Sequence, residues 1–336
     1  MTIIYAILMI CILIFIHELG HFIAAKLSGV KVNEFALGMG PVLFQRQKGE
    51  TMYSLRAIPI GGFCAMEGED EESDDEGAFN KKPAWKKAII LVAGSFMNLL
   101  MAIVLMTIVT YAIGFPSSTL GEVTKGSPAE KAGIIAGDTI IEANGHKVDD
   151  WYDFTKIVDE ADKSKSLELV IDRDGKKIAT KSGFMENEGR KVIGVIATNE
   201  KNAGKALING PKATWNMAKN MYGVLKQLVT GEVSTKDLSG PVGIVYMVDK
   251  SASQGFITFL YFMAMMSLNL AIINMLPFPA LDGGRLIFVV IRKITGKAIT
   301  DNMESIVHMI GMVLLMLLMI YVTWQDILRF VIPIFK

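Results

Sequence analysis

The sequence predicts a polytopic α-helical membrane protein. It should have about four transmembrane helices, a membrane-associated β-hairpin region and an inserted α+β domain. Three observations predict it. Apolar residues make up 51% of the 336-residue chain and are gathered into blocks rather than spread evenly. Four of those blocks are long enough to cross a bilayer and almost free of charge. The stretch 116–200, between the second and third blocks, has an ordinary soluble composition. Lysine plus arginine and aspartate plus glutamate are balanced at 34 each, so net charge does not suggest nucleic-acid binding.

The first span occupies 1–30, with its apolar run from Thr2 to Ala25. At 1.5 Å per residue that run reaches about 36 Å. It lacks the basic start of a signal peptide, and it continues through His17-Glu18-Leu19-Gly20-His21 to Lys26. Residues 31–64 change character. Val32–Leu37, Val42–Gln47 and Met52–Ile58 read as short strands, with turns at Gly38–Pro41 and Lys48–Glu50 and a Gly-Gly-Phe-Cys loop ending at Cys64. A strand edge in 32–58 would lie beside the histidines, placed to pair with an unwound peptide. Cys11 and Cys64 have no metal-ligand spacing and read as structural.

Residues 65–87 form a cytoplasmic loop, acidic and then basic. Eight acids fall within 67–76, the signature of a solvated segment to which no chemistry is assigned. Lys81, Lys82, Trp85, Lys86 and Lys87 then mark a membrane interface. The second span covers 88–114. Its Gly94 and Ser95 suit close helix packing, while Asn98 suits either a cross-helix hydrogen bond or a role near the site.

In 116–200, Ser127 to Gly145 reads as a short helix, a turn and a strand ending in Asn-Gly. A helix around 151–161 and strands from Leu167 and Ile178 follow. His146 falls in an exposed turn. Residues 203–250 carry an amphipathic helix marked by Trp215, Ala218, Met221, Tyr222, Leu225 and Leu228, then a turn at Ser239–Ile244. The third span, within 255–285, runs from Phe256 to Leu276 and is broken by Pro277, Pro279 and Gly283-Gly284. A cytoplasmic loop at 286–304 leads to the fourth span, within 305–336, where His308 reads as a packing or interface residue.

Lysines and arginines near span ends lie in 26–87 and 285–297. The positive-inside rule puts both stretches in the cytoplasm, and the 116–200 domain and both termini outside. His17 and His21 then share one helix face late in the first span, at the depth of Asp282 just past the third. Two imidazoles in H-E-x-x-H spacing can hold zinc, with the intervening Glu18 as general base. A catalytic zinc needs a third protein ligand, and Asp282 is the natural one because the helix break frees its backbone. Ionisable residues in a span are costly, so the cluster reads as functional.

These motifs resemble the site-two proteases, intramembrane zinc metalloproteases, in their bacterial regulator-of-sigma-E form. The resemblance covers essentially the whole chain. It is carried by His17-Glu18-Leu19-Gly20-His21, by Asn274 to Gly284 as N-x-x-P-x-P-x-L-D-G-G, and by one inserted domain whose S-P-A-x-x-A-G-I pattern from Ser127 is similar to bacterial PDZ domains. It implies one zinc ion per chain, ligands His17, His21 and Asp282, and Glu18 as base. Asn274 would hold substrate or orient the site. Asn98, Gly38, Gly40, Pro277 and Pro279 are further substrate-binding or site-supporting candidates.

The implied substrates are single-span membrane proteins in a bacterial cell membrane, such as an anti-sigma factor or a signal peptide remnant. An upstream site-one protease would cut them first. The chain departs from the best-known enterobacterial relatives in carrying one PDZ-like domain instead of two, which weakens any two-domain filtering scheme. Two rivals stand beside this reading. One is a membrane-anchored zinc protease acting on soluble chains. The other is a non-catalytic PDZ membrane scaffold, which leaves four polar residues at one depth unexplained.

Overall fold

The computed structural model describes residues 2–332 apart from 70, 72, 163, 188, 189, 233–238 and 297–300. Asp70, Glu72 and Lys297, which belong to the charge runs above, therefore lie outside the described residues. The chain divides into two compact units, one of Met1–Val109 with Gly210–Lys336 and one of Thr110–Asn209.

In the first unit, four helices among the described residues are long and apolar enough to cross a membrane. They belong to α1 (Thr2–Leu27), α2 (Ala84–Ile113), α7 (Phe256–Asn274) and α9 (Asp301–Asp326). Helix α1 has two apolar faces of different fate. Ile4, Leu8, Ile12 and Phe15 are exposed, whereas Ala6, Met9, Leu13, His17 and His21 are buried. The second set repeats at three and four residues, so the imidazoles continue the stripe that faces protein. Ala6, Met9 and Leu13 pack there with Leu105 and Met106 of α2 and with Phe262 and Met263 of α7.

The hairpin region differs from the expected three short strands. It forms two long antiparallel strands, β1 (Val32–Lys48) and β2 (Thr51–Met66), turning at Gly49. The expected turn at Gly38–Pro41 is a bend inside β1. Gly38 and Gly40 take φ of 86° and 80° there, which glycine adopts without a β-carbon clash. The expected Gly-Gly-Phe-Cys loop is strand as well, with Phe63 paired to Ala36 and Cys64 to Phe35. Residues 34–37 thus pair on both sides, with 62–65 and with 52–55. The runs 44–48 and 62–66 are left as the two edges of the sheet; the first falls within the expected 32–58, and the one beside Glu18, 62–66, lies later. The base of the hairpin shares a core with Ala24 and Ala25 of α1, Ile90 and Leu91 of α2, and Leu286 and Val289.

Those last two residues belong to a further correction. Residues 286–304 are not a plain loop, because α8 runs over Asp282–Thr295. Its apolar face meets the core, and Arg292 and Lys293 sit in its last turn, where the helix dipole favours cations. Two helices stand where one amphipathic helix and a turn were expected: α5 (Ala203–Thr230) and α6 (Pro241–Ser253). Trp215 and Tyr222 of α5 point outward, while Thr214 and Gly210 face in. A β-carbon at Gly210 would strike Thr107 of α2, so the backbones touch.

The second unit contains strands β3 (Phe115–Val123), β4 (Thr139–Ala143), β5 (His146–Lys147), β6 (Leu167–Arg173), β7 (Lys176–Ser182) and β10 (Val195–Glu200). Helices α3 (Pro128–Lys131) and α4 (Trp151–Glu160) and a small β8–β9 ribbon (Met185–Asn187, Arg190–Val192) complete it. The sheet order is β10-β3-β4-β6-β7, with β5 paired to β4. Leu167, Leu169 and Ile171 alternate inward, and each contributes roughly 1.5–3 kcal/mol on burial. Ser127 caps α3 by accepting from the Glu130 N–H, and Asp150 caps α4 by accepting from Tyr152 and Asp153.

Candidate metal centre

Helix periodicity sets the first half of the site. His17 and His21 are one turn apart, and their Nε2 atoms lie 3.2 Å from each other. The second half comes from the break after α7. Asn274 is the last helical residue, a loop spans 275–281, and Asp282 opens α8. Asp282 Oδ2 lies 3.2 Å from His17 Nε2 and 3.4 Å from His21 Nε2. Among the described residues, these three are the one group of His, Cys, Asp or Glu side chains able to share an ion.

The spacing fits a small tetrahedral ion. Bonds of about 2.0–2.1 Å give a tetrahedron whose edges measure about 3.3 Å. Both imidazoles are buried, and Oδ2 has no hydrogen-bond donor of its own among the described residues. An ion shared by three donors satisfies that buried oxygen.

The outer nitrogens of the rings are held in turn. His21 Nδ1 donates to the Ile90 carbonyl at 2.8 Å, which leaves Nε2 as the lone pair facing the cluster. His17 Nδ1 faces the side-chain amide of Asn98 at 3.3 Å. The atom facing the ring is Nδ2, and the buried Oδ1 has no partner among the described residues; turning the amide about its last bond exchanges the two, so that Oδ1 would accept the Nδ1 proton and free Nε2 in the same way. Asn98 is fully buried, and its carbonyl accepts from Ser267 at 2.8 Å.

Glycines bring the elements this close. A β-carbon on Gly94 would strike His21 Nε2 and His17 Cε1, and one on Gly20 would strike the Ala93 carbonyl. Gly94 therefore packs helices, as its type suggests, and also keeps the metal-facing space empty. Gly283 and Gly284 lie against the carbonyls of Met275, Leu276 and Phe278, so the first turn of α8 seats on its own loop.

Glu18 is partly buried and stands next to the sheet edge, where a β-carbon on Gly62 would lie 3.6 Å from its Cγ. The Asn274 amide nitrogen is 3.2 Å from His17 Nε2, at the same focus as the donors. Pro277 is exposed in the loop and Pro279 half-buried. Gly38 and Gly40 work within the sheet, packing on Ile58, and no described contact joins them to the histidines. Gly20 and Gly62 are contributors that sequence reasoning missed. Their only signal is small size, which has no meaning until the facing element is known.

A family model described as peptidase family M50 matches residues 5–318. A protein of Clostridium acetobutylicum named as a zinc metalloprotease is 42% identical over 333 residues, covering 97% of each chain. A Clostridium perfringens protein named in the same way is 40% identical, covering 98% of this chain and 99% of its own. The regulator of sigma-W protease RasP of Bacillus subtilis is 32% identical over 416 residues, covering 98% of both.

Proposed function

Because this chain belongs to peptidase family M50, we propose that it is an intramembrane zinc metalloprotease. Its substrates would be single-span membrane proteins, cut within their transmembrane segments. One observation carries this reading. Two imidazoles on the protein-facing stripe of an apolar helix converge with a carboxylate at zinc-ligand spacing, next to a glutamate. His17, His21 and Asp282 would hold one zinc ion. That ion supplies Lewis acidity and a water of lowered pKa.

The remaining chemistry belongs to the side chains. A substrate helix must unwind before its scissile bond is accessible, since a helix spends its amides internally. The sheet edge at 62–66 offers unpaired backbone groups to the unwound strand. The Asn274 amide can hold the substrate backbone near the donors. Glu18 takes the proton of the attacking water and returns it to the leaving amine, so no net proton is consumed. A protease acting on soluble chains would carry its donors in a soluble domain, and the burial of these donors between spans speaks for a substrate bond inside the membrane.

The resemblance of Ser127–Gly145 to bacterial PDZ domains supports a filtering role for the second unit. In this reading the unit lies outside the cell membrane with both termini. It admits substrates, such as an anti-sigma factor or a signal peptide remnant, that an upstream protease has trimmed. The deciding experiment is Glu18→Gln, assayed on a membrane-embedded reporter peptide. Zinc content should persist while cleavage is lost. Cleavage that survives the substitution removes Glu18 from the chemistry.

A further inference from the structure

We infer that His308, on the last spanning helix, is a positioning residue that fixes the metal-facing pose of Asp282. The inference rests on the reading of Asp282 as a zinc ligand. Asp282 follows a seven-residue break, 275–281, in which helical hydrogen bonding stops. Most of that loop is held by its own turns. Phe278 N–H donates to the Leu276 carbonyl at 2.7 Å, and Leu281 N–H to the Phe278 carbonyl at 3.2 Å.

Ala280 is the exception. Its φ is 75°, a left-handed conformation that an L residue enters at a cost. Its N–H donates to no backbone carbonyl among the described residues and goes instead to His308 Nδ1 at 2.8 Å. That bond lies two residues before the ligand. It holds the left-handed turn whose geometry decides where Asp282 emerges.

The imidazole is itself prepared for the task. Only a ring without a proton on Nδ1 can accept from Ala280. Glu304 Oε1 stands 3.8 Å from Nε2, and its carboxylate favours the proton on that nitrogen. Arg292 of α8 pairs with the same Glu304 at 2.7 Å. The ring of Phe288 lies 5.4 Å from the imidazole, centroid to centroid. One turn further along α9, a β-carbon on Gly311 would collide with Pro279, so the helix backbone presses directly on the loop. The loop is gripped from α8 by Gly283 and Gly284 and from α9 by Gly311, and His308 supplies a polar tie.

The test uses two amides of the same chemistry but different reach. In asparagine the side-chain oxygen stands near the place of Nδ1. In glutamine it stands near the place of Nε2. Zinc affinity of the full chain in detergent is measured by chelator competition, with the cobalt-substituted visible spectrum as a second readout. His308→Gln should weaken zinc by about tenfold and alter the cobalt spectrum. His308→Asn should stay near the parent in both. If the Gln variant fails to fold, His308→Leu replaces it as the loss variant.

A loss variant that holds zinc like the parent overturns the inference, and so does an equal loss in Asn and Gln. Asp282→Ala is measured alongside. If it retains zinc, the ligand reading itself falls. If it loses zinc while His308→Gln does not, only the role of His308 falls.

Discussion

Gly94 of α2 lies so close to His21 of α1 that a single added β-carbon would stand 2.3 Å from the Nε2 atom. Backbone and ligand are therefore in direct contact across two spans. Gly94→Ala should displace the imidazole pair without abolishing the spans. Cleavage of a membrane-embedded reporter should fall by about 10²-fold or more, the scale of an ångström-sized misplacement. Parent-like cleavage and zinc content in that variant would mean that the two helices are free to separate.

Asn98 makes a second, gentler test of the same site. It touches no substrate in the reading above; its side chain faces His17 Nδ1, while the bond from Ser267 goes to its backbone carbonyl. Asn98→Leu removes the polar partner at similar volume. Zinc affinity should drop by about 10–100-fold, the usual cost of losing a ligand's hydrogen-bond partner. An unchanged affinity in chelator competition would show that ring packing alone holds His17.

The second unit makes a prediction in pH. Asp138 is buried, which raises its pKa, but Arg173 donates to it at 2.7 and 2.8 Å and the Ile135 N–H at 2.9 Å. The net result holds its carboxyl below the ordinary value. A carboxyl depressed in the folded state stabilises fully above its unfolded pKa of about 3.9 and loses that contribution as pH falls through the folded value. Hydrogen-exchange protection of the 115–200 amides in the full chain should hold at pH 5–7 and decline below about pH 4. Arg173→Met should remove roughly 3 kcal/mol at neutral pH and flatten that decline. An identical acid profile in the variant would assign the decline to other groups.

Removal of 119–198 addresses the filter. If the second unit rejects untrimmed substrates, cleavage of an untrimmed reporter should rise while the trimmed form is cut as before. A fall in both would instead point to docking or folding.

The legible part of this site in the sequence is the part that is costly. His17, Glu18, His21 and Asp282 stand out because a charged or ionisable group in a span demands a partner, and so advertises one. The short helix and the strand of Ser127–Gly145 are legible for a similar reason, since Asn144-Gly145 has few other uses, whereas the caps at Ser127 and Asp150 emerge only from the structure. What stays hidden is relational. Gly20 and Gly62 carry no chemistry of their own, and their role depends on what faces them; Gly94 reads as a packing residue, but not as the neighbour of His17 and His21. The part of β2 through Phe63 and Cys64 follows two glycines, which argue for a loop until the partners Ala36 and Phe35 are known. Helix α8 likewise has a double glycine in its first turn, which argues against a helix until Leu286 and Val289 are seen against the core that holds Phe35 and Ile90.

The grip of α9 on the Asp282 loop also bears on the order in which a ribosome delivers the chain. The histidine pair on α1 is made well before α9, the helix that touches the loop of its third partner. On the inference above, a nascent protein would carry Glu18 and the two imidazoles without a settled third donor until α9 is made. If His308 fixes Asp282 as inferred above, full competence would arrive only when Gly311 and His308 dock, and unfinished copies should be inert rather than loose in their cutting. A chain stopped at residue 296 and purified from membranes should bind zinc at least tenfold more weakly than the whole. Full affinity in that truncated chain would show that the site matures without its last helix.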